Sequence, residues 1–257
     1  METTRGTNPL VHHITNYVTV NDCANVCICA HGSPVMTDEA KDISEMVKIS
    51  SAVVLNIGTL NERTVESMIV AGKTANSLGI PVILDPVGVG ATKYRTDTAM
   101  EIIEKCNPSV IKGNGGEIGV LSGLGGEVKG VDSQSTSCDL GQAVKELSLK
   151  YGCIIAASGP IDYVSDGNSV YELSNGCEYQ GFVSGTGCML SSVIGCYVGA
   201  CNASAESVIS AISVFNIAAE LALKNSNGPG SFKTALLDSL FSLKPEIVEK
   251  MVKIKTL

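Results

Sequence analysis

A cysteine directly follows a glycine-rich turn in the segment VSGTGCML, residues 183–190. Glycines at the start of a helix leave backbone N–H groups free, and with the positive end of the helix dipole these groups form a pocket suited to phosphate. Cys188 begins the apolar segment that follows, so we expect the helix dipole to lower the pKa of its thiol. The turn also has a purely structural interpretation, as a tight connection between a hairpin and a helix, because Gly-x-Gly alone is a weak signal.

Two acidic residues with the chemistry of magnesium ligands follow short apolar runs. Asp85 ends the run IPVILD, where its carboxylate either holds a hydrated Mg²⁺ or shapes the turn before Pro86; taken alone, the turn is the simpler interpretation. Glu117 lies three residues after Asn114, the spacing of a capping box in which Asn114 caps a helix and Glu117 reaches back to it. Capping and metal binding are compatible, so both acids are candidate metal ligands.

Two further side chains are candidates for contacts to a nucleotide. Lys112 lies two residues before Asn114, where its ammonium either pairs with phosphate oxygens or is a solvated charge. Ser158 follows the apolar run CIIAA and is either a turn hydroxyl or a hydrogen-bond donor to a ligand. The sequence contains no Walker motif, dinucleotide fingerprint, H-E-x-x-H or G-x-S-x-G, which argues against the common nucleotide, zinc and serine-hydrolase classes.

Short apolar runs alternate with segments of helical periodicity along the chain. The runs predict buried strands at 52–58, 80–85, 109–114 and 153–159. The periodic segments predict helices at 61–78, 138–151, 188–200 and 205–224, with a peripheral last helix near 245–253. This alternation is typical of a single α/β domain, here residues 1–257, whose parallel sheet is covered by helices on both faces. Residues 161–173 alternate on both sides of Asp166-Gly167, which predicts a hairpin at the sheet edge and so a mixed sheet.

The candidate residues share one position relative to these elements. In open α/β sheets, ligands bind beyond the carboxyl ends of the parallel strands. Each candidate lies near the end of a predicted strand or at the start of the helix that follows the hairpin. We therefore expect two acids, a lysine, a serine and the glycine turn to converge on one edge of the sheet: Asp85, Glu117, Lys112, Ser158 and residues 185–188.

The composition restricts the partners of the chain. Of its 257 residues, 44% are hydrophobic and 17% are charged, which indicates a large core and a contact between subunits. A net charge of −8 argues against binding to nucleic acid or to an anionic membrane. The N-terminal residues lack the pattern of a secretory signal, and no run reaches the roughly 20 apolar residues of a membrane span. We expect a cytoplasmic protein whose ten cysteines are free thiols.

Taken together, the motifs resemble the hydroxyethylthiazole kinases, a branch of the ribokinase-like superfamily, over nearly the whole chain. The resemblance rests on six segments in the family's order: HHITNYVTVNDCAN (12–25), GSPVM (32–36), ILDPVGVGAT (83–92), IKGNGGEI (111–118), SGPIDYVSDG (158–167) and SGTGCML (184–190). It implies a ribokinase-like three-layer α/β fold with a mainly parallel central sheet. It also implies ATP-dependent phosphorylation of the primary alcohol of 4-methyl-5-(2-hydroxyethyl)thiazole, in thiamin precursor salvage.

The resemblance implies functions for the candidate residues and a homotrimer with active sites between subunits. Magnesium would lie near Asp85 and Glu117, ATP would contact Lys112 and Ser158, and the thiazole would meet Met36 and Gly185. The backbone amides of the turn, at Gly185, Thr186 and Gly187, would stabilise the transferring phosphoryl group. The family's usual residue at position 112 is arginine and at position 158 commonly threonine. The lysine of this chain keeps the charge but lacks the forked geometry of arginine.

The resemblance also offers a reason for the cysteine after the turn. Related sugar and pyrimidine kinases carry aspartate there as the base for the attacking alcohol, whereas the thiazole kinases are similar to this chain in carrying cysteine. We interpret Cys188 as the residue that orients the hydroxyl and accepts its proton late. Phosphoryl transfer depends more on positioning and charge neutralisation than on such a base, so Cys188 need not be indispensable.

Three other functions remain open on sequence alone. The first is a ribokinase-like kinase for another small alcohol, such as hydroxymethylpyrimidine, against which the cysteine at 188 and the segment GSPVM argue. The second is an inactive relative that binds thiazole or nucleotide, which the joint presence of Asp85, Glu117 and Cys188 disfavours. The third is a structural module whose glycine turn serves packing only.

Overall fold

A computed structural model describes residues 1–123 and 140–257, and the strands of these residues form one sheet. The strands are β1 (Leu10–Ile14), β2 (Ser33–Met36), β3 (Ala52–Asn56), β4 (Val82–Asp85), β5 (Val110–Asn114), β6 (Ile154–Ser158), β7 (Asp162–Ser165), β8 (Val170–Leu173) and β9 (Ile254–Thr256). Their order across the sheet is β2-β1-β3-β4-β5-β6-β7-β8-β9. Strands β1 to β6 pair in parallel, whereas β7, β8 and β9 continue the sheet antiparallel.

Helices cover both faces of this sheet. They are α1 (Glu2–Thr7), α2 (Val20–Cys29), α3 (Ala40–Ile49), α4 (Glu62–Leu78), α5 (Lys93–Cys106), α6 (Gly115–Ser122), α7 (Leu140–Tyr151), α8 (Thr186–Ala200), α9 (Ala205–Lys224), α10 (Pro229–Ser242) and α11 (Pro245–Met251). Helices α2, α8, α9 and α10 contribute to one buried cluster, and helices α3 to α7 contribute to the other. The domain therefore has three layers, with the sheet between two helical layers.

Neighbouring residues of a strand enter opposite layers of the core. On β3, Val54 joins the cluster around α8, whereas Val53 and Leu55 join the cluster around α4. All five residues of this strand are buried, because a parallel sheet with helices on both faces leaves neither face to water. Polar groups that need access to a ligand are thereby confined to the ends of the strands.

The structure confirms most elements that the sequence predicts. The four predicted strands are β3, β4, β5 and β6, and the helices predicted at 61–78 and 205–224 are α4 and α9. The helix predicted at 138–151 is α7, which the structure describes from Leu140; the two residues before it lie outside the described ranges. The helix predicted at 188–200 begins two residues earlier, at Thr186.

The prediction that the hairpin 161–173 forms the sheet edge is wrong in one respect. Its strands β7 and β8 are antiparallel as expected, but β9 pairs with β8 on the outer side. The predicted last helix ends as α11 at Met251, and the chain then forms β9. All three residues of β9 are exposed, so the segment lacks the apolar alternation by which a strand is recognised.

Helix α9 is the one described helix that is long and apolar enough to cross a membrane by length and composition. Its most apolar window is 72% buried inside the structure. It packs between α8 and α10, so its apolar surface belongs to the protein core.

Helix α8 approaches the sheet closely at Gly195. A Cβ atom at this position would lie 2.9 Å from Val11 Cγ1 on β1 and 2.9 Å from Val54 Cγ2 on β3. Real Cβ atoms do not approach side chains so closely, and a packed core cannot absorb the extra volume without strain. The glycine therefore sets the distance between α8 and the sheet. It thereby also sets the distance between the sheet and the turn that precedes α8.

We expect Gly195→Ala to lower the free energy of unfolding by about 1–3 kcal/mol, because the added methyl group overpacks the contact of α8 with β1 and β3. Urea denaturation followed by circular dichroism measures the change. Gly119→Ala is the matched control, since a Cβ on this glycine of α6 meets no atom within 4 Å. It should stabilise the protein by roughly 0.5–1 kcal/mol through the higher helix propensity of alanine. Equal effects of the two substitutions would contradict the close approach of α8.

Candidate active site

The carboxyl ends of the parallel strands bring the candidate residues to one edge of the sheet. Asn56 at the end of β3 is in register with Asp85 at the end of β4. Asn114 at the end of β5 is likewise in register with Ser158 at the end of β6. Helix α8 begins beside this edge, since Gly187 in its first turn contacts the side chain of Lys112 on β5. The expected convergence of the strand ends and the glycine turn is present.

The glycine turn has a backbone that other residues would not adopt without strain. Gly185, the N-cap of α8, has φ 89°, and a Cβ there would lie 2.3 Å from Thr19 Cγ2. A Cβ on Gly187 would lie 3.1 Å from Lys112 Nζ. The turn thus packs bare backbone against the loop before α2 on one side and against a lysine on the other. It leaves the first N–H groups of α8 without partners inside the helix, as an anion site requires.

Lys112 is the cation at the centre of the site. Its side chain is almost fully buried, its Nζ donates to the main-chain oxygen of Gly187 over 3.0 Å, and it lies 3.8 Å from Asp85 Oδ2. Burial alone would lower the pKa of this ammonium, but the charges of Asp85 and Glu117 outweigh burial and raise the pKa. Lys112 therefore stays positively charged next to the turn, and the possibility of a solvated charge is wrong.

Asp85 connects the sheet to α8. Its Oδ2 accepts a hydrogen bond of 2.9 Å from Asn56 Nδ2 and one of 2.7 Å from Ser191 Oγ. Burial raises the pKa of this carboxyl group, and the charge of Lys112 and the two hydrogen bonds oppose the rise. Its side chain is thus more than a turn former before Pro86, because it contacts groups on three other elements.

Glu117 completes the predicted capping box and also accepts a hydrogen bond from the loop after β4. Its Oε2 accepts from the main-chain N–H of Asn114 over 2.8 Å, and Asn114 Oδ1 accepts in return from the N–H of Glu117, which completes the predicted capping box. Its Oε1 accepts from the N–H of Gly88 over 2.8 Å. Burial and the nearby charge of Asp85 raise the pKa of Glu117, so the two acids lie close enough to repel one another.

The two carboxylates suit a magnesium ion. Each oxygen of Glu117 accepts one backbone hydrogen bond, which leaves further lone pairs for a cation. Magnesium typically binds one or two carboxylates and takes its other ligands from water and phosphate oxygens. Within residues 1–123 and 140–257 there is no group of three or more His, Cys, Asp or Glu residues that could hold a metal by itself. A site of this type therefore fits a metal that arrives with a nucleotide better than a closed structural metal site.

Cys188 is half-buried and receives two amide hydrogen bonds. Asn16 Nδ2 and Asn56 Nδ2 each lie 3.3 Å from its Sγ. Burial and the charge of Asp85 raise the pKa of the thiol, against the opposing effects of Lys112 and of hydrogen bonds that include the one from Asn56. The expectation of a lowered pKa is wrong, because desolvation and a carboxylate outweigh the helix dipole here. The thiol is neutral at physiological pH.

Three residues of this site were not identified from the sequence: Asn16, Asn56 and Ser191. Asn16 donates to both Cys188 and Asn56, the latter over 2.9 Å, so the two amides form a pair beneath the thiol. Asn56 could have been predicted as a site residue, because it is a polar residue near the end of a predicted strand, like Asp85. Ser191 lies inside an apolar helix, and only the packing of α8 on the sheet shows that it faces Asp85.

The side chains of three other predicted site residues lie along the same edge and have other hydrogen-bond partners or surroundings. Ser158 donates to the main-chain oxygen of Gly113 over 3.3 Å, and Thr186 Oγ1 donates to the main-chain oxygen of Gln180 over 2.7 Å. Met36 is half-buried at the end of β2. Strands β1 and β3 separate β2 from β4, which puts Met36 roughly 14 Å along the edge from Asp85. The edge is therefore long enough for two ligands side by side.

The fold is ribokinase-like. A ribokinase-like superfamily protein from Enterococcus faecalis matches the chain with a TM-score of 0.65 at 14% identity, over 90% of this chain and 86% of that one. This fold defines the class, the ribokinase-like α/β proteins, and the chain places a buried lysine beside a carboxylate and a glycine-rich helix start at its strand ends.

Within this class the chain belongs to the hydroxyethylthiazole kinase family, whose family model matches residues 1–246. The hydroxyethylthiazole kinase of Thermoanaerobacter pseudethanolicus is 48% identical to it over 253 residues, which are 98% of this chain and 96% of that protein. The structure of the hydroxyethylthiazole kinase protein from Pyrococcus horikoshii OT3 matches with a TM-score of 0.92 at 36% identity, over 100% of this chain and 96% of that one. The resemblance seen in the motifs is confirmed.

We expect alkylation of Cys188 by iodoacetamide to be slow at neutral pH and to accelerate up to a pH above the ordinary thiol pKa, since only the thiolate reacts. Peptide mass spectrometry measures the modified fraction over time at each pH. Cys201 is exposed at the other end of α8, so its alkylation in the same sample serves as the internal control for reagent activity. A Cys188 rate that reaches its plateau below the ordinary thiol pKa would contradict the raised value.

Proposed function

We propose that this chain transfers the terminal phosphoryl group of ATP to the hydroxyl of 4-methyl-5-(2-hydroxyethyl)thiazole, in thiamin precursor salvage. Membership of the hydroxyethylthiazole kinase family supports the reaction. One observation carries the proposal: the charged Lys112 lies between Asp85 and the glycine turn, and Cys188 is in the same turn. A transferring phosphoryl group placed there meets a cation, free N–H groups and a sulfur that can orient the substrate hydroxyl and, as the thiolate, receive its proton.

The positive groups of the site stabilise the charge that develops on the phosphoryl oxygens. The N–H groups of Gly185, Thr186, Gly187 and Cys188 are fixed before any ligand binds, so no reorganisation is needed during the reaction. The ammonium of Lys112 is held against the main chain of that turn. This hydrogen bond positions the ammonium beside the turn, although lysine lacks the forked geometry of arginine.

Asp85 and Glu117 are proposed to hold magnesium. When bound, the ion would supply charge neutralisation between the phosphate oxygens of ATP. Burial raises the pKa of both carboxyl groups, and the charge of Asp85 raises the pKa of Glu117 further. A bound cation would offset both effects, which supports this assignment.

Cys188 is proposed to orient the substrate hydroxyl and to accept its proton late in the transfer. A neutral thiol has no site for a second proton, so only the thiolate fraction acts as the base, and that fraction grows as pH approaches the raised pKa. Orientation by the sulfur, which Asn16 and Asn56 hold in place, operates in both protonation states. A chiefly positional function agrees with the loose transition state of phosphoryl transfer, which needs little help from a base.

The remaining assignments concern the two ligands and the assembly. Ser158 is proposed to contact ATP, and Met36 and Gly185 to contact the thiazole, with residues 1–257 forming a single cytoplasmic kinase domain. We propose a homotrimer whose active sites lie between subunits. Three apolar side chains near the site support it by their exposure in the single chain: Tyr17 (78%), Val18 (61%) and Phe182 (64%).

The purified protein should convert ATP and the thiazole alcohol to ADP and thiazole phosphate when magnesium is present, as measured by mass spectrometry of the product. We expect Cys188→Ala to lower kcat by on the order of 10², Cys188→Ser to lower it less, and Cys188→Asp to preserve or raise it. The wild-type rate should rise with pH toward the raised thiol pKa, whereas the rate of Cys188→Ala should not.

Cys201→Ala is the matched control, because this exposed cysteine caps the opposite end of α8 and should not affect the rate. Wild-type kcat in Cys188→Ala, with phosphoryl transfer shown to be rate-limiting, would refute a base at this position. Turnover of hydroxymethylpyrimidine in preference to the thiazole would refute the proposed substrate.

Light scattering after size-exclusion chromatography should give the mass of three chains, each of 26.7 kDa. The double substitution Tyr17→Ser with Phe182→Ser should shift this mass toward the single chain, because both rings would lose a buried contact between subunits. Tyr94→Ser, which removes a ring that is 51% exposed on α5, is the control and should leave the mass unchanged. A wild-type protein with the mass of one chain at micromolar concentration would contradict the trimer.

A further inference from the structure

Asp162 is a buried carboxylate to which the proposed reaction assigns no function. It begins β7, and only 3% of its surface is exposed. Its Oδ1 accepts from the main-chain N–H of Gly159 over 2.9 Å, and its Oδ2 accepts from Asn216 Nδ2 of α9 over 2.6 Å. Asp162 thus holds the loop that directly follows Ser158.

The hydrogen bonds continue from Asp162 to the turn before α8. Asn216 Oδ1 accepts from Gln180 Nε2 over 3.0 Å, and Gln180 Oε1 accepts from the main-chain N–H of Cys177 over 3.0 Å. The main-chain oxygen of Gln180 accepts from Thr186 Oγ1 over 2.7 Å, and Thr186 is the first residue of α8. Three side chains therefore link the loop after β6 to the glycine turn. We call Asp162, Asn216 and Gln180 the relay.

Both ends of the relay are backbone N–H groups, which can only donate. Gly159 donates at one end and Cys177 donates at the other. Each amide side chain between them accepts one hydrogen bond and donates another, so it cannot pair with a donor on both sides. Every hydrogen bond is therefore satisfied only if one member of the relay accepts on both sides. The carboxylate of Asp162 is that member. It determines which way the amides of Asn216 and Gln180 point.

The surroundings of the relay preserve its geometry. Gly176 has φ 127°, and a Cβ there would lie 2.9 Å from Gln180 Oε1, so glycine leaves room for the Gln180 side chain. Burial raises the pKa of Asp162 to about 6, although the hydrogen bonds from Gly159 and Asn216 oppose the rise. Asparagine would avoid the cost of burying a charge at this position, but it would lose the acceptor that the two N–H ends require.

We propose that Asp162 is a positioning residue that, through Asn216 and Gln180, fixes the nucleotide loop at Ser158–Gly159 relative to the phosphoryl-transfer turn at Gly185–Cys188. The inference rests on the proposed kinase function of the site. Catalysis of phosphoryl transfer consists mainly of positioning, and a displacement of about 1 Å between such parts can cost on the order of 10² in rate. The relay acts on the alignment of ATP with the turn, whereas Met36 on β2 lies outside it.

The test is Asp162→Asn in the full-length protein with magnesium, ATP and the thiazole alcohol. The new amide places a donor against Asn216 Nδ2, and turning the amides of Asn216 and Gln180 only moves the donor–donor contact to Cys177. We expect kcat/KM for ATP to fall by roughly 10- to 100-fold, with KM for the thiazole nearly unchanged.

The double substitution Asp162→Asn with Asn216→Asp restores the pattern of the relay. The new amide at position 162 would accept from Gly159 and donate to the new carboxylate at position 216. That carboxylate would also accept from Gln180, so every donor again meets an acceptor. We expect kcat/KM for ATP to recover most of its wild-type value.

Two single substitutions serve as controls. Asn216→Asp alone places two carboxylates next to each other, so its kcat/KM for ATP should stay below the wild-type value. Asp166→Asn, an exposed change at the tip of the same hairpin, should leave the kinetics unchanged.

Thermal melting curves separate positioning from folding, since each variant is assayed well below its Tm. Wild-type kcat/KM for ATP in folded Asp162→Asn, or a double variant as impaired as the single one, would overturn the proposal. Should Asp162→Asn not fold, Asn216→Ser cuts the relay at its centre, and wild-type kinetics there would overturn it equally. Lack of thiazole kinase activity in the wild-type protein would instead overturn the proposed function.

Discussion

The site depends on the burial of one positive charge, the ammonium of Lys112. Burying an ammonium is costly unless opposite charges and hydrogen-bond acceptors surround it. Asp85 and Glu117 supply the charge, and the carbonyl of Gly187 supplies an acceptor. Because the acceptor belongs to the first turn of α8, the same interaction that stabilises the cation also holds the glycine turn over the strand ends. The contacts that compensate the charge of Lys112 therefore also fix the position of the glycine turn.

The sheet is covered by helices on both faces, and this accounts for the location of the polar residues around Lys112. Strands β3 and β4 are apolar except at their carboxyl ends, where Asn56 and Asp85 lie, and Asn16 follows β1 at the same edge. Asn16, Asn56 and Asp85 therefore form a hydrogen-bonded row that runs across β1, β3 and β4 toward the thiol of Cys188. The close packing of α8 at Gly195 brings the other wall of the site to within hydrogen-bonding distance of this row. Overpacking that contact would move the turn as well as cost stability.

Much of the fold and part of the site followed from the sequence, for identifiable reasons. Buried strands leave uninterrupted apolar runs, and a carboxylate or lysine at the end of such a run marks the ligand edge; Asp85 and Lys112 were found in this way. The family motifs added Met36, which no local chemistry distinguishes. The sign of the Cys188 pKa shift was not predictable from its position at a helix start, because the shift depends on burial and on Asp85, 103 positions away along the chain. Asn16 and Ser191 were missed for the same reason, since their partners are distant in sequence.

The protonated state of Cys188 has a consequence for the durability of the enzyme. Peroxides attack thiolates far faster than thiols, and susceptibility also follows exposure to solvent. A half-buried thiol with a raised pKa is therefore a poor target for conversion to sulfenic acid. A reactive sulfur would offer a faster proton acceptor, but it would be lost under oxidative stress. The glycine turn thus carries its cysteine in a form that tolerates an oxidising episode.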